Sequence, residues 1–294
     1  KAGDFPSAVY LVAEKGEIVL HDALGFAVVE PEQIAARPDT IYDVASMTKV
    51  LVTGLLAAIL IDEGKLDIDE AVAAYLNEFD TDEKRAITVG NLLTHNSGLC
   101  SWLPLYLLAK SPADAISIIA AESLEYPTGS KVLYSDPNFL TLQGILETIE
   151  GVPLDLIAQR RIFGPLGLRD TGFNPAADLS PRIAASEKGN VFERQTCIEK
   201  GYISPDETHA AFRTDTIWGD VHDGNAYFMG GVAGHAGGNY ILINQSLNLI
   251  VCEHLGVADD AKATCSASAV CRMRIRIRLR ARFSIWRIRS RVTP

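Results

Sequence analysis

Ser46 and Lys49 lie three residues apart in Ala45-Ser46-Met47-Thr48-Lys49, at the head of the apolar run 50–61. Positions i and i+3 are neighbours on one helical face. A serine hydroxyl is a weak nucleophile until a base takes its proton. A lysine desolvated beside it can be that base. The start of a helix also offers backbone N–H groups to a developing oxyanion. Ser-x-x-Lys is short enough to arise by chance, but a lysine is costly to bury without a purpose. Its place before an apolar helix therefore gives the pair weight.

Two further groups could complete such chemistry. In Tyr134-Ser135-Asp136, a tyrosine near a cationic lysine can be partly deprotonated and relay protons. The competing reading is structural: Ser135 and Asp136 suit a helix N-cap, with Pro137 at the first helical position. In His235-Ala236-Gly237, the glycine lets backbone approach a ligand, and the histidine can hold an anionic group or assist proton transfer. An exposed histidine on a flexible turn explains that segment equally well. His222-Asp223 and Cys252-x-His254 lack metal-ligand spacing. Ser97 is not in a Gly-x-Ser-x-Gly elbow, and no phosphate loop follows a strand. No cofactor and no metal are expected.

These residues need elements to hold them. Segments 7–14 and 17–29 read as a β-hairpin around Lys15-Gly16. After a Pro-rich loop, 41–44 leads into a buried central helix, apolar on every face and ended by Gly64. That apolar run is too short for a bilayer, and no transmembrane segment is expected. Further helices are expected over 69–75, 88–94, 112–122, 139–149 (closed by Gly151) and 154–162. Residues 174–225 show no period and read as long loops, a lid over a site. Past the glycine-rich 230–238, segments 239–243 and 249–252 read as a second hairpin. Residues 272–280 alternate arginine with apolar residues, as a strand with one charged face would.

Composition bounds the partners. The 294 residues are 48% hydrophobic and 22% charged, the range of a globular protein. Nine arginines fall between Arg272 and Arg291 with no acid among them, so the body is more acidic than the net −10 indicates. Such a body repels nucleic acid, whereas the tail would attract it. Salt-sensitive anion binding by 272–294 is accordingly a separate, weaker reading. Five cysteines with no CxxC spacing indicate isolated thiols rather than a disulfide framework or zinc site. The N-terminal residues contain no signal-peptide apolar core.

Taken in order, several blocks resemble the β-lactamase-related serine hydrolases: class C β-lactamases, D-alanyl-D-alanine carboxypeptidases and β-lactamase-like esterases. They are Ala45-Ser46-Met47-Thr48-Lys49, the block 87–99 containing Thr94-His95-Asn96-Ser97-Gly98, Tyr134-Ser135-Asp136, 163–171, and 221–226 through to Gly237. The resemblance implies an α/β sandwich, a mostly antiparallel sheet flanked by helices beside an all-helical subdomain at about 65–220. It implies Ser46 as acylated nucleophile, Lys49 and Tyr134 handling its proton, and Asp136, His235, Ala236 and Gly237 lining the substrate site, with His235-Ala236-Gly237 either the match to the family's third motif or part of an earlier family loop, in which case that motif is missing. The oxyanion would be held by the Ser46 N–H and a second N–H on a C-terminal strand. Asp136 stands where many members have Asn. The resemblance spans a domain at 1–257, leaving an atypical arginine-rich tail at 258–294 and a sheet lacking its usual terminal helix. The expected substrate is a β-lactam, a D-Ala peptide or a small ester, and the expected location periplasmic or secreted. The alternative is a catalytically impaired protein of the same fold that only binds.

Overall fold

The computed structural model describes residues 5–15 and 17–236, and the backbone of 240–242. Gly237, the second strand of the expected 239–252 hairpin and the arginine-rich tail lie outside the described residues. The chain divides into two compact units, 1–9 with 22–242 and 10–21 with 243–294. Described residues of the second unit are those of two strand segments and the turn residue Lys15.

Largely apolar stretches form β1 (Ser7–Glu14) and β2 (Glu17–Val28), as expected, and β3 (Ile34–Ala35) adds to the edge of β2. A second small sheet consists of β4 (Ile41–Asp43), β5 (Thr171–Gly172) and β6 (Tyr240–Leu242), in the order β4-β6-β5 with antiparallel neighbours. Asp43 pairs with Tyr240 and Ile41 with Leu242. The strand that follows the glycine-rich loop is thus fixed beside the strand that leads to Ser46.

Beyond β4 the chain makes a 3-10 turn, Ala45–Met47, a π-helical stretch, Lys49–Gly54, and then the regular helix α1 (Leu55–Asp62). Val52, Leu56, Ala57 and Leu60 are buried on its inner side. The outer side is not: Met47 and Val50 are more than half exposed, which corrects the expectation of burial on every face. By length and composition 45–62 could also cross a bilayer, contrary to the reading above. Here it holds a buried lysine and packs its inner side on other helices, as a core helix does. Gly64 at φ 68° ends it.

The helices that follow are α2 (Val89–Leu93), α3 (Leu105–Leu108), α4 (Ala115–Ala121), α5 (Asp136–Glu150) and α6 (Leu154–Ala158). Thr88 caps α2 in a reciprocal box with Asn91. The helix expected over 69–75 is only a 3-10 turn, Val72–Ala74. There the Val72 N–H is drawn to the Ile87 carbonyl across a bridge between Ala71 and Thr88. The hub is α5. Ser135 caps it by accepting the Asn138 N–H, Pro137 occupies its first turn, and Gly151 at φ 68° stops it. Most of its side chains, from Pro137 to Leu146, are buried, and it packs against α1, α2, α4 and α6.

Residues 174–225 are not all loop. The helix α7 (Val191–Glu199) lies among them, and α8 (Gly224–Phe228) begins at their end. The inner positions of α7 are Glu193 and Cys197, whereas Val191 and Phe192 face outward. With a carboxylate inside and apolar residues outside, the hydrophobic period is absent from the sequence. Cys100 and Cys197 are free thiols, and burial pushes both up, Cys100 to about 11.

Candidate active site

Ser46 sits on the exposed 3-10 turn directly after β4. The turn is held in a sparsely populated conformation, with Ala45 at φ 44°. Asp43 maintains it. One carboxylate oxygen accepts the Ala45 N–H at 2.8 Å and the other accepts the His222 N–H at 3.1 Å. Burial raises the Asp43 carboxyl above its usual range, against those two hydrogen bonds. No sequence motif pointed to Asp43, although an Asx turn ahead of a serine is the kind of signal that could have found it.

Lys49 is 3% exposed and its Nζ has three acceptors. They are Asp136 Oδ1 at 2.6 Å, the His235 carbonyl at 2.8 Å and Ser46 Oγ at 3.4 Å. The Nζ also lies 4.6 Å from the centre of the Tyr134 ring and 5.8 Å from that of Phe139. Lys49 thus meets three other residues read from sequence: Ser46, Tyr134 and Asp136. Asp136 meets Lys49 because it opens α5, which packs against the π-helical stretch carrying the lysine.

The glycine-rich loop meets the same stretch through its backbone. Lys49 and Thr53, four residues apart, donate to the carbonyls of His235 and Gly234, the latter at 2.7 Å. The Gly234 N–H donates to Gln143 Oε1 at 2.8 Å. A Cβ on Gly234 would lie 2.6 Å from the Phe139 carbonyl oxygen and 3.0 Å from Gln143 Cβ, so the approach requires glycine.

The imidazole of His235 is fully buried, with Nε2 3.0 Å from Asp223 Oδ1. It is the carbonyl of this residue, not its ring, that reaches Lys49. Burial disfavours charge on His235, yet Asp223 more than offsets it and the net shift is upward. Burial likewise opposes the Asp223 charge, and His235 with Lys49 nearby pulls that carboxyl below its usual range. Ala236 is buried beside it. Asp223 also caps α8 by accepting the Ala226 N–H, and Glu193 accepts the neighbouring Gly224 N–H. Burial, then Asp223, raises the Glu193 carboxyl.

His95 is a further residue at the site, within a block noted in the sequence but given no chemistry there. Its ring lies 4.8 Å from that of Tyr134 and 5.1 Å from that of Phe139. Among the described residues no group of three His, Cys, Asp or Glu side chains is placed to hold a metal.

A hydroxyl on a strained turn, a buried amine 3.4 Å from it and a carboxylate behind that amine can together pass a proton. The description Beta-lactamase matches residues 1–202. A Salmonella heidelberg (strain SL476) protein named a D-alanyl-D-alanine carboxypeptidase is 35% identical over 257 residues, covering 79% of this chain and 57% of that protein. The chain thus spans little more than half the length of this curated relative. FmtA from Staphylococcus aureus has a similar structure at 21% identity and TM-score 0.61, covering 83% of this chain and 58% of FmtA. A penicillin-binding protein homologue from Caulobacter crescentus matches at 23% identity and TM-score 0.60, over 85% of this chain and 66% of its own. At these identities the structures establish the fold, the β-lactamase and penicillin-binding-protein type expected from the sequence; among the described residues its strands form two three-stranded sheets.

Proposed function

The chain belongs to the β-lactamase family, and we propose that it is a serine hydrolase acting through an acyl-enzyme on Ser46. The observation that carries this reading is the contact of Lys49 Nζ with Ser46 Oγ at 3.4 Å, backed by Asp136 at 2.6 Å. As Ser46 Oγ attacks a carbonyl carbon, its proton passes to the oxygen of Tyr134, acting as the phenolate beside the Lys49 ammonium, and then from Tyr134 to the leaving group. The carbonyl π electrons move onto oxygen, giving an oxyanion for which the Ser46 N–H is the assigned donor. Collapse expels the amine or alcohol and leaves the acyl group on Ser46. Water attacks the ester by the reverse proton route and frees the serine. In this scheme Asp136 holds Lys49 in place and balances its charge. The backbone near His235 and Ala236 borders the substrate and leads into β6 beside β4.

The substrate class we assign is a β-lactam, a peptide ending in D-Ala or a small carboxylic ester. The name of the Salmonella relative supports the peptide, and a periplasmic or secreted location fits that choice. Incubation with fluorescent penicillin and a fluorescent phosphonate, for this chain and Ser46→Ala, tests the reading. Labelling of the parent chain that disappears in Ser46→Ala is expected. Equal labelling of both, or labelling of neither, rejects it.

A further inference from the structure

We propose that His95, neutral and with Nδ1 unprotonated, is the positioning residue for Tyr134. This rests on the serine-hydrolase reading, in which Tyr134 moves a proton. Tyr134 lies just ahead of α5 and is half exposed, so the core alone does not fix it. His95 holds the chain on both sides of it. The Leu133 N–H donates to the His95 carbonyl at 2.8 Å. The Ser135 N–H donates to His95 Nδ1 at 3.1 Å. The imidazole then stacks on the phenol ring at 4.8 Å. One residue thus grips both neighbours of Tyr134 and its ring.

The hydrogen-bond pattern fixes the tautomer. Ser97 Oγ donates to Asn138 Oδ1 at 2.6 Å and accepts the Leu99 N–H. The Asn138 amide is thereby oriented with Nδ2, a donor, 3.4 Å from His95 Nδ1. Two donors, the Ser135 N–H and Asn138 Nδ2, converge on Nδ1, which must be a lone pair. A proton there would set N–H against N–H and release the 133–135 segment. The left-handed backbone of His95, φ 58°, brings carbonyl and ring to the same segment.

The surroundings favour the neutral form. Burial, and then the Lys49 ammonium, hold His95 below the ordinary histidine range, with Asp136 opposing. The titratable groups around the ring are Lys49, Asp136 and Tyr134, and Tyr126 donates its hydroxyl to the His95 carbonyl. Phe139 on α5 closes the remaining side.

The experiment compares His95→Asn with His95→Gln, because Asn Oδ1 can take the place of Nδ1 and Gln cannot. The readouts are the rate of fluorescent phosphonate labelling against pH, thermal unfolding, and the imidazole 15N spectrum of the parent chain. We expect the spectrum to show His95 with an unprotonated Nδ1 at neutral pH. We expect His95→Asn to label within about threefold of the parent, because Asn Oδ1 still accepts the Ser135 N–H. His95→Gln should lose about 100-fold, the effect of a misplaced catalytic group. The parent rate should fall as the pH drops through the lowered His95 value, and that limb should be missing from His95→Asn. Equal rates in both variants, equal losses in both, or a spectrum with Nδ1 protonated would overturn the proposal. If either variant fails to fold, the spectrum and the parent's acid limb decide. Absence of Ser46-dependent labelling in the parent chain rejects the hydrolase reading instead, and the spectrum still reports on the His95 clamp.

Discussion

Lys49–Asp136 and His235–Asp223 are both buried pairs of a basic side chain and a carboxylate, at 2.6 and 3.0 Å. They are joined through residue 235, whose carbonyl takes a Lys49 hydrogen while its ring takes Asp223. The lysine pair opens toward a hydroxyl on a strained turn. In the histidine pair the ring is fully buried; Asp223 Oδ1 meets that ring and also accepts the Ala226 N–H of α8, and His235 Nδ1 has no partner among the described residues. Like ingredients therefore have different consequences. A buried pair costs desolvation wherever it lies; in the proposed reaction only the pair facing the Ser46 hydroxyl takes part. The second pair locks the glycine-rich loop, and so fixes the carbonyl that orients Lys49.

The largest effect that can break this contrast is on the lysine side. Lys49→Ala should reduce acylation about 1000-fold, the scale of a positioned acid–base group. It should also cost about 3 kcal/mol in unfolding free energy by leaving Asp136 buried without its cation. Labelling kinetics and urea denaturation measure the two separately. A variant as fast as the parent chain would place the proton relay elsewhere.

Asp223→Asn tests the histidine pair and should act mainly on stability, by about 3 kcal/mol near pH 6. The sign with pH follows from the two shifts. The His235 value is raised on folding, so its contribution is full below the unfolded value of about 6.5 and is lost as pH rises through the folded value. The Asp223 value is lowered, so its contribution is full above the unfolded value of about 3.9 and is lost as pH falls through the folded value. The Tm gap between parent and variant should be widest near pH 5–6 and narrow in alkaline solution. A gap that widens with alkalinity contradicts the pairing.

Gly234→Ala sharpens the link between the two pairs. Its methyl would meet backbone of α5 at 2.6 Å, so the loop must shift, at a cost of about 2 kcal/mol. The labelling rate should fall too, because the carbonyls that Lys49 and Thr53 grip would move. Thermal unfolding and labelling at one temperature suffice to check both.

What the sequence disclosed divides along the same line. Ser46, Lys49, Tyr134 and Asp136 could be read because their chemistry lies in residue type and short spacing, and α5 because Ser135, Pro137 and Gly151 mark both of its ends. The π-helical stretch Lys49–Gly54 could not, because backbone widening has no residue code. His235 was read by its imidazole, whereas its carbonyl reaches the lysine. Asp43 and His95 act by accepting backbone N–H groups from turns whose shape depends on tertiary contacts. The helix α7 was hidden by Glu193, which lies inward to take the Gly224 N–H. Side chains placed by residue type and short spacing leave a trace in sequence; those that hold backbone leave little.

The most direct test of the central claim is mass spectrometry of the intact chain after exposure to a β-lactam or a phosphonate, followed by peptide mapping. A single adduct on the peptide carrying Ser46, absent from Ser46→Ala and slow to form in Lys49→Ala, is the predicted result. An adduct on any other residue, or none on a chain that unfolds cooperatively, would contradict it.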